Sequence, residues 1–207
     1  METLYTSENI KNLNTKGFTI IDNVLPLELA EEIYDAYCEE TEWDLFNQVR
    51  ENHYSHVFKS PNPFLPQEGE AYSAKFNRSS NLENLNLIKN TFNNILVPLL
   101  KSVSPFHVDE FDVRCYKLDK NDYYRTHIDD YAGTINLIYY VNKEWRWDWG
   151  GILNVLSHDD LELCESIFPK FNRAVLLNNK VFRSPHFVSS VEPFALNSRY
   201  SIVSFNK

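Results

Sequence analysis

The chain has 207 residues and a formal net charge of −9, with 43% hydrophobic, 24% charged and 14% aromatic residues. This composition excludes a disordered chain and fits one domain with a sizeable core. The acidic charge argues against nucleic acid and anionic membrane surfaces as partners, and no apolar run is long enough to span a bilayer. The many aromatic rings favour a β-rich core.

The first quarter of the chain is predicted to hold two helices and a strand. A short helix is expected from Ser7 to Leu13, with Ser7 as its N-cap and Gly17 ending the segment. Residues 18–24 are rich in β-branched side chains and predict a strand. A second helix, with one apolar face, is expected to begin at Pro26.

Residues 43–80 show no periodicity and contain three prolines among polar and aromatic residues. We interpret this stretch as an irregular segment that forms a lid or a substrate loop. The next stretch, residues 82–103, carries an apolar stripe at helical spacing and predicts a long helix. Pro98 is expected to kink that helix or to end it early.

The second half of the chain is predicted to be a β-structure. Strand patterns recur at residues 108–118, 134–141, 152–156, 174–178, 186–191 and 200–205. Short strands at regular spacing are typical of a sandwich or barrel. We therefore predict a single α+β domain over residues 1–207, in which residues 1–105 form a helical support with the irregular lid segment and residues 106–207 form the β-core.

The cysteines indicate the compartment. Cys38, Cys115 and Cys164 are scattered and form no C-x-x-C motif, which is typical of reduced thiols. The N-terminal residues have no apolar run of the kind found in signal peptides. We therefore expect a cytoplasmic protein, while the sequence leaves open whether it is a monomer or a homodimer.

His127-Ile128-Asp129 is a candidate metal-binding motif. Residues two apart in a strand point to the same face, so this imidazole and carboxylate can converge on one cation. His186 supplies a second imidazole. Two histidines and one carboxylate form the facial triad that leaves three positions open on non-haem Fe(II). The alternatives are a surface histidine beside a turn aspartate for the motif, and a buried histidine bonded to backbone for His186.

Arg199-Tyr200-Ser201 is a candidate carboxylate-binding motif in the last strand. Arg199 and Ser201 share a face, and a guanidinium with a nearby hydroxyl suits a carboxylate ligand. The alternative is an exposed arginine in a surface ion pair. The ordered combination of H-x-D, a distant histidine and R-x-S is more specific than any one of its parts.

The order and content of these motifs resemble the 2-oxoglutarate oxygenases of the prolyl-hydroxylase branch, especially the oxygen-sensing prolyl hydroxylases and their bacterial relatives. The resemblance covers Arg114 to Phe205. The matching stretches are Arg114-Cys115-Tyr116, Tyr124-Arg125-Thr126-His127-Ile128-Asp129, Ile138-Tyr139-Tyr140-Val141-Asn142-Lys143-Glu144-Trp145, Gly150-Gly151-Ile152-Leu153, Phe168-Pro169-Lys170-Phe171-Asn172-Arg173, Pro185-His186 and Arg199-Tyr200.

The resemblance implies a fold, a set of site residues and a reaction. The fold would be a double-stranded β-helix, or jelly roll, with supporting N-terminal helices. Iron would be bound by His127, Asp129 and His186; the far carboxylate of 2-oxoglutarate would be bound by Arg199, with Tyr140 and Ser201 at that end and Tyr116 near the metal-chelating end. The cofactors would be Fe(II), 2-oxoglutarate and O2, with ascorbate as an optional addition. The family reaction yields succinate and CO2 while an unactivated C–H bond is hydroxylated.

Several alternatives remain open from the sequence. The leading hypothesis is hydroxylation of a prolyl residue in a protein or peptide, and the second is oxygenation of a free amino acid or other small molecule. A non-catalytic jelly-roll binding module is the third. The stretch from His186 to Arg199 is longer than in the oxygen-sensing enzymes, which leaves Arg183 and Lys180 as alternative carboxylate contacts. Specificity is expected from residues 43–80 and from the loop that holds Trp145, Trp147 and Trp149.

Overall fold

The computed structural model describes residues 5–50, 72–103, 111–127, 135–156, 162–181 and 185–206. The helices are α1 Ser7–Thr15, α2 Leu27–Glu39, α3 Ser80–Asn84, α4 Asn86–Thr91 and α5 Val97–Val103, with a π-helical segment, Phe92–Leu96, between the last two. The strands are β1 Phe18–Asp22, β2 Asp44–Arg50, β3 Tyr72–Arg78, β4 Phe111–Leu118, β5 Tyr123–His127, β6 Ile135–Tyr140, β7 Leu153–Leu156, β8 Leu163–Ile167, β9 Arg173–Asn178, β10 His186–Val188 and β11 Arg199–Asn206.

These strands form one curled antiparallel sheet. Their order is β1-β9-β6-β11-β4-β3-β5-β10-β7-β8, and β2 pairs with β3 outside this order. The curled sheet with helices supplied by the N-terminal part of the chain confirms the predicted α+β jelly-roll architecture. None of the helices in the described part of the chain has the length and apolar character of a bilayer span.

Side chains alternate between the two faces of the sheet. The outer face packs against the helices: Tyr139 and Ile202 belong to the same apolar cluster as Ile33 and Phe92. The inner face carries the next residues along the same strands, so Tyr140 packs with Val175 inside the barrel. This period of two places every second residue of β4, β6 and β11 in the barrel interior.

The strand directions define two ends of the barrel. The end of β5 and the start of β10 lie together at one end, which we call the histidine end. The connections that follow β1, β6 and β8, and the segment that precedes β11, lie at the other end, which we call the distal end. Arg199 begins β11 at the distal end of the barrel wall.

The N-cap of the first helix lies one residue earlier in the chain than the sequence predicts. Thr6 is the N-cap, because its hydroxyl accepts from the Asn9 backbone N–H while the Asn9 side chain accepts from Thr6. The prediction of Ser7 as N-cap is wrong for this reason. Gly17, at φ 81°, follows the helix and leads directly into β1.

The long helix predicted at residues 82–103 is in fact interrupted. Leu85 has extended backbone angles and separates α3 from α4. Pro98 lies in the first turn of α5, directly after the π-helical segment. A widened turn fits this place, because proline cannot donate a backbone hydrogen bond to the preceding turn.

The prediction of an irregular segment at residues 43–80 is wrong for both ends of that stretch. β2 and β3 occupy those ends and pair along their whole length, from Asp44↔Arg78 to Arg50↔Tyr72. The predicted lid itself, within residues 51–71, lies outside the described residues. β5 and β8 were not among the predicted strands, and the start of the first predicted strand, residues 108–110, is also outside the described part.

Candidate active site

Two histidines face each other at the histidine end of the barrel. His127 ends β5 and His186 begins β10, and the two are direct partners in the antiparallel register. Their ring centroids are 4.4 Å apart, and the residues are 8% and 5% exposed. Directly opposed residues of antiparallel strands project from the same face. The pairing therefore brings together two imidazoles that lie far apart in the sequence.

The protonation of His127 follows from its backbone contact. Its Nδ1 lies 2.7 Å from the carbonyl oxygen of Arg125. A carbonyl only accepts hydrogen bonds, so Nδ1 carries the proton and the lone pair is placed on Nε2. A backbone contact of this kind orients metal-binding histidines and fixes their tautomer.

The third predicted metal ligand, Asp129, lies outside the described residues, as do all of residues 128–134. Within the described ranges there is no group of three or more His, Cys, Asp or Glu side chains that could hold a metal. The triad of His127, Asp129 and His186 therefore stays a prediction, of which the structure describes the two histidines.

The predicted cosubstrate residues form one row across three strands. Ser201 of β11 is paired with Tyr116 of β4 on one side and with Tyr140 of β6 on the other. Arg199, two residues before Ser201, shares their face. All four are buried, with exposures of 7% or less. The structure thus brings together the residues that the sequence singled out separately.

Arg199 is a buried cation without a carboxylate partner among the described residues. Its Nη1 donates to the Ser201 hydroxyl at 3.3 Å, and its guanidinium carbon lies 5.0 Å from the centroid of the Tyr140 ring. Its Nε has no hydrogen-bond partner in the described part of the chain. A buried charge without a counter-ion costs several kcal/mol, roughly. The site is therefore chemically suited to a bound carboxylate.

The hydroxyl of Tyr140 completes this environment. Tyr140 is fully buried and its hydroxyl makes no direct hydrogen bond to the residues described. Burial raises the pKa of Tyr140, against an opposing effect of the nearby Arg199 charge. Burial also raises the pKa of Tyr116, which the Arg114 charge partly offsets. Both phenols therefore stay protonated at neutral pH and can donate to an anionic ligand.

Gly151 packs closely against the side chains of Arg199 and Trp145. A Cβ atom on Gly151 would lie 2.8 Å from Arg199 Cδ and 3.2 Å from Trp145 Cζ2, and the residue has φ 64°. Only glycine fits such a position without strain. The sequence showed Gly150-Gly151 as part of a motif but gave no sign of this contact, because it joins segments that are distant in the chain.

The alternative carboxylate contacts are placed differently. Lys180 is exposed and lies at the histidine end, whereas Arg199 begins at the distal end. Arg183 lies outside the described residues. Trp145 and Trp149 pack edge to face, with centroids 5.3 Å apart, in the distal-end connection after β6. The loop that was expected to contribute to specificity therefore places these two tryptophans at the end of the barrel opposite to the histidines.

A buried carboxylate anchors the start of the strand that carries His127. Asp122 is 1% exposed; it accepts from the Asp119 backbone N–H at 2.9 Å and the Asn77 amide at 3.0 Å, and pairs with Lys75 at 2.8 Å. Asp122 also bonds to the segment before β11, because its carbonyl accepts from Val191. This network fixes the turn between β4 and β5.

A second arginine lies on the inner face, nearer the histidine end. Arg114 is two residues before Tyr116 in β4, and forms an ion pair with Asp112 at 2.7 Å. Its guanidinium carbon lies 4.9 Å from the centroid of the Phe205 ring. Arg114 was not among the predicted site residues, although the period-two spacing of Asp112, Arg114 and Tyr116 indicates that they share a face of the strand.

Comparison with a family of known proteins decides the class. Residues 111–207 match the family model described as the 2OG-Fe(II) oxygenase superfamily. Through these residues, 97 of the 207, the chain is similar to that superfamily. That superfamily uses Fe(II), 2-oxoglutarate and O2. The opposed histidines fit those groups chemically, and so does Arg199, which is buried without a carboxylate partner among the described residues.

Solved structures share the fold of this chain. A Pseudomonas putida prolyl-4-hydroxylase aligns over 97% of both chains, with a TM-score of 0.65 and 15% identity. A prolyl hydroxylase from Trichoplax adhaerens, in complex with a hypoxia inducible factor oxygen degradation domain peptide fragment, aligns over 96% of this chain and 86% of its own, with a TM-score of 0.66 and 18% identity.

The same fold also serves another reaction. SnoN, a non-heme alpha ketoglutarate dependent epimerase from nogalamycin biosynthesis, aligns over 95% of this chain and 80% of its own. Its TM-score is 0.63 and its identity is 10%. At such identities the likeness establishes the fold of the oxygenase, and the substrate has to be argued from the site.

Proposed function

We propose that the oxygenase hydroxylates an unactivated C–H bond of a prolyl residue in a protein or peptide, with succinate and CO2 as coproducts. The observation that carries the 2-oxoglutarate chemistry is the buried Arg199, without a carboxylate partner among the described residues, in the same barrel as the opposed histidines. The choice of a prolyl substrate is supported by the motif resemblance, and by solved prolyl hydroxylases among the proteins of similar fold.

In this proposal His127, Asp129 and His186 hold Fe(II). Iron held there would supply the redox chemistry for O2 activation. The chain contributes the orientation of its ligands: the Arg125 carbonyl holds the proton on Nδ1 of His127, and the Asp122 network fixes the start of the strand that carries that histidine. Ligands held in this way need little rearrangement when the metal binds.

Arg199, Ser201 and Tyr140 bind the far carboxylate of 2-oxoglutarate in the proposed reaction. Arg199 provides the counter-charge, and the protonated Tyr140 hydroxyl donates a further hydrogen bond. Tyr116, on the other side of Ser201, would lie near the metal-chelating end of the cosubstrate, as the motif resemblance implies. Apolar side chains such as Leu153, Val155 and Val175 pack beside Tyr140 and exclude water from this part of the barrel.

The test combines binding and turnover with the full-length protein. Anaerobic addition of Fe(II) and 2-oxoglutarate should give the weak visible charge-transfer band of this family. With O2 and prolyl peptides, succinate should form and a peptide should gain the mass of one oxygen atom. Absence of both the band and succinate would contradict the oxygenase assignment. Succinate formation with a free amino acid gaining oxygen, while prolyl peptides stay unmodified, would contradict only the prolyl substrate.

A second candidate substrate, a free amino acid, is favoured by one observation. The Arg114–Asp112 pair presents a cation and an anion side by side on the inner face, and these are the groups that match the carboxylate and ammonium of a zwitterion. Free L-proline and its N-acetylated amide, compared in the same oxygenation assay, distinguish the two. A preference for the free amino acid that Arg114→Gln removes would support the second candidate.

The remaining parts of the proposal follow the family. We propose ascorbate as an optional addition that sustains turnover. We also propose that residues 1–207 form a single domain, whose main binding partner is the substrate. The cytoplasmic setting stays a prediction from the cysteines. The oligomeric state also stays open between monomer and homodimer, and size-exclusion chromatography with light scattering decides it.

A further inference from the structure

Among the described strands, the start of β11, which carries Arg199, has a partner on one edge only. On the β4 edge, Arg199 is paired with Leu118. On the β6 edge the pairing begins two residues later, with Ser201 and Tyr140. The end of a strand that is paired on one edge opens more easily than its middle. The position of Arg199 therefore depends on contacts beyond the ladder of the sheet.

A side-chain amide takes the place of a strand on the β6 edge. Asn142 is buried and lies two residues after the end of β6. Its Nδ2 donates to the carbonyl oxygen of Ser198 at 2.8 Å, and its Oδ1 accepts from the backbone N–H of Tyr200 at 2.6 Å. A neighbouring antiparallel strand pairs with backbone groups of the same kind. Asn142 therefore holds the chain immediately before and immediately after Arg199.

A carboxylate holds the same segment on the β4 edge. Asp119 directly follows β4, and its Oδ1 accepts from the hydroxyl of Ser198 at 2.5 Å. Its Oδ2 accepts from the amide of Asn77 at 3.2 Å. Hydrogen bonds to a charged group are stronger than those between neutral groups. We call Asp119, Asn142 and Ser198 the Ser198 network; it holds the chain on both edges directly before the buried arginine.

The Ser198 network is also connected to the strand that carries His127. The backbone N–H of Asp119 donates to Oδ2 of Asp122 at 2.9 Å, and the amide of Asn77 donates to the same oxygen at 3.0 Å. Asp122 lies directly before β5, which ends at His127. One short turn therefore connects the start of β11, with its arginine, to the start of the strand with the first candidate metal ligand.

Burial of the guanidinium makes this support necessary. Arg199 is 3% exposed and has no carboxylate partner among the described residues. A buried cation without a counter-charge is stabilised by moving towards water. In the ligand-free protein, Arg199 would therefore leave its place if the surrounding backbone could shift. Any displaced fraction lowers the apparent affinity for a ligand that needs the guanidinium in place.

We propose that the Ser198 network positions Arg199 for the far carboxylate of 2-oxoglutarate, a role that rests on the proposed function of that arginine. The three residues act through the backbone on either side of Arg199 and not by contact with the ligand. Loss of the network should therefore weaken the binding of acids that carry the far carboxylate. Acids that lack this carboxylate should bind as before, because they make no use of the guanidinium.

The test compares two keto acids by calorimetry on the full chain loaded with Mn(II). 2-Oxopentanoate has the carbon chain of 2-oxoglutarate with a methyl group in place of the far carboxylate, so the ratio of the two affinities reports the carboxylate contact. In Ser198→Ala we expect 2-oxoglutarate to bind about tenfold more weakly, since a hydrogen bond to a charged group is lost. The affinity for 2-oxopentanoate should equal that of the wild type. Ser198 is partly exposed, so alanine there should not prevent folding.

Three further variants separate positioning from general destabilisation. Ser198→Thr keeps the hydroxyl and should retain the wild-type ratio of affinities. Ser166→Ala removes a different serine hydroxyl, which donates to the Asn154 side chain at 2.7 Å on the β7–β8 pair, and should also leave the ratio unchanged. Asp119→Ala should lower the ratio, and adding Ser198→Ala to it should lower the ratio no further, because both changes remove the same hydrogen bond.

The outcomes distinguish the positioning role from the proposed function. A wild-type preference for 2-oxoglutarate that Ser198→Ala leaves intact overturns the positioning role alone. An equal fall in affinity for both acids, or additive losses in the double variant, also overturns it, because the effect would then not pass through the carboxylate contact. A wild-type protein that binds the two acids equally overturns both the positioning role and the proposed role of Arg199.

Discussion

His127 and His186 are direct partners across the β5–β10 pair, with their rings 4.4 Å apart. One residue of shift in that register would turn one of the imidazoles to the other face of the sheet. The register is fixed on the far side of β10 as well, where His186 is paired with Val155 of β7. The sheet therefore holds both imidazoles on one face before any metal is bound.

Removal of either histidine should abolish tight metal binding. For His127→Ala and His186→Ala we expect the affinity for Fe(II), or for Mn(II) as an air-stable substitute, to fall by more than about 100-fold. Even the mutation of residues that only hydrogen-bond to metal ligands lowers metal affinity by about 10–100-fold. Calorimetry measures it. Glu165→Gln, an exposed carboxylate paired in register with Val155, is the control and should bind normally. Wild-type affinity in either histidine variant would contradict the ligand assignment.

Replacement of Arg199 should have opposite effects on the protein with and without 2-oxoglutarate. Arg199→Met removes a buried cation that has no carboxylate partner among the described residues, so the free energy of unfolding of the ligand-free protein should rise by about 1 kcal/mol or more. The increase in melting temperature that 2-oxoglutarate causes should disappear. Thermal unfolding with and without cosubstrate measures both. A ligand-free variant less stable than the wild type, with stabilisation by 2-oxoglutarate intact, would refute the carboxylate-binding role.

The two neighbouring glycines should respond differently to alanine. Gly151→Ala brings a Cβ within 2.8 Å of the Arg199 side chain, which can move; we expect a loss of about 1–2 kcal/mol in unfolding free energy and a 2-oxoglutarate affinity about tenfold weaker. Gly150→Ala places its Cβ only 1.9 Å from the Ser190 carbonyl oxygen. Backbone cannot yield as easily, so the loss of stability should exceed about 3 kcal/mol.

Denaturant unfolding and cosubstrate titration of both variants check this contrast. Equal losses of stability, with no change in 2-oxoglutarate affinity for Gly151→Ala, would show that Gly151 does not support Arg199.

Asp22 should make stability depend on pH in the acid range. Hydrogen bonds from Arg173, then Lys170, lower its pKa from 3.8 to about 2, against the opposing effect of burial. The folded state thus binds this proton less readily than the unfolded state, so the contribution is complete above about pH 5 and is lost as pH falls towards 2. Because the carboxylate is partly exposed, solvent screening limits the contribution to about 1 kcal/mol.

Urea unfolding of Asp22→Asn against wild type measures this contribution. The variant should be less stable at pH 7, and the difference should shrink steadily between pH 4 and pH 2.5. Asp35→Asn, an exposed carboxylate on α2, should show no such convergence. A difference between Asp22→Asn and wild type that is the same at every pH would contradict the ionic origin.

Much of the fold was readable from local patterns. Short segments of strand type at regular spacing identified β4, β6, β9 and β11, and the period of two placed Arg199 and Ser201 on one face. The helical region at residues 82–103 was also recognised, but its break at Leu85 was not, since an isolated extended residue leaves no periodic signal. β2 and β3 were missed because their stability comes from pairing with each other and with the sheet, which no local propensity reports.

The sequence by itself determined which chemical groups are available: two histidines, an aspartate, an arginine and a serine in a set order. The period of two in a strand also placed residues two apart, such as Arg199 and Ser201, on the same face. The tertiary structure alone decided that Tyr116 and Tyr140 flank Ser201, that Gly151 supports Arg199, and that Arg199 is buried without a carboxylate partner among the described residues. The reason is physical. Periodicity is a property of adjacent residues, whereas register, burial and counter-charge arise only when distant segments pack together.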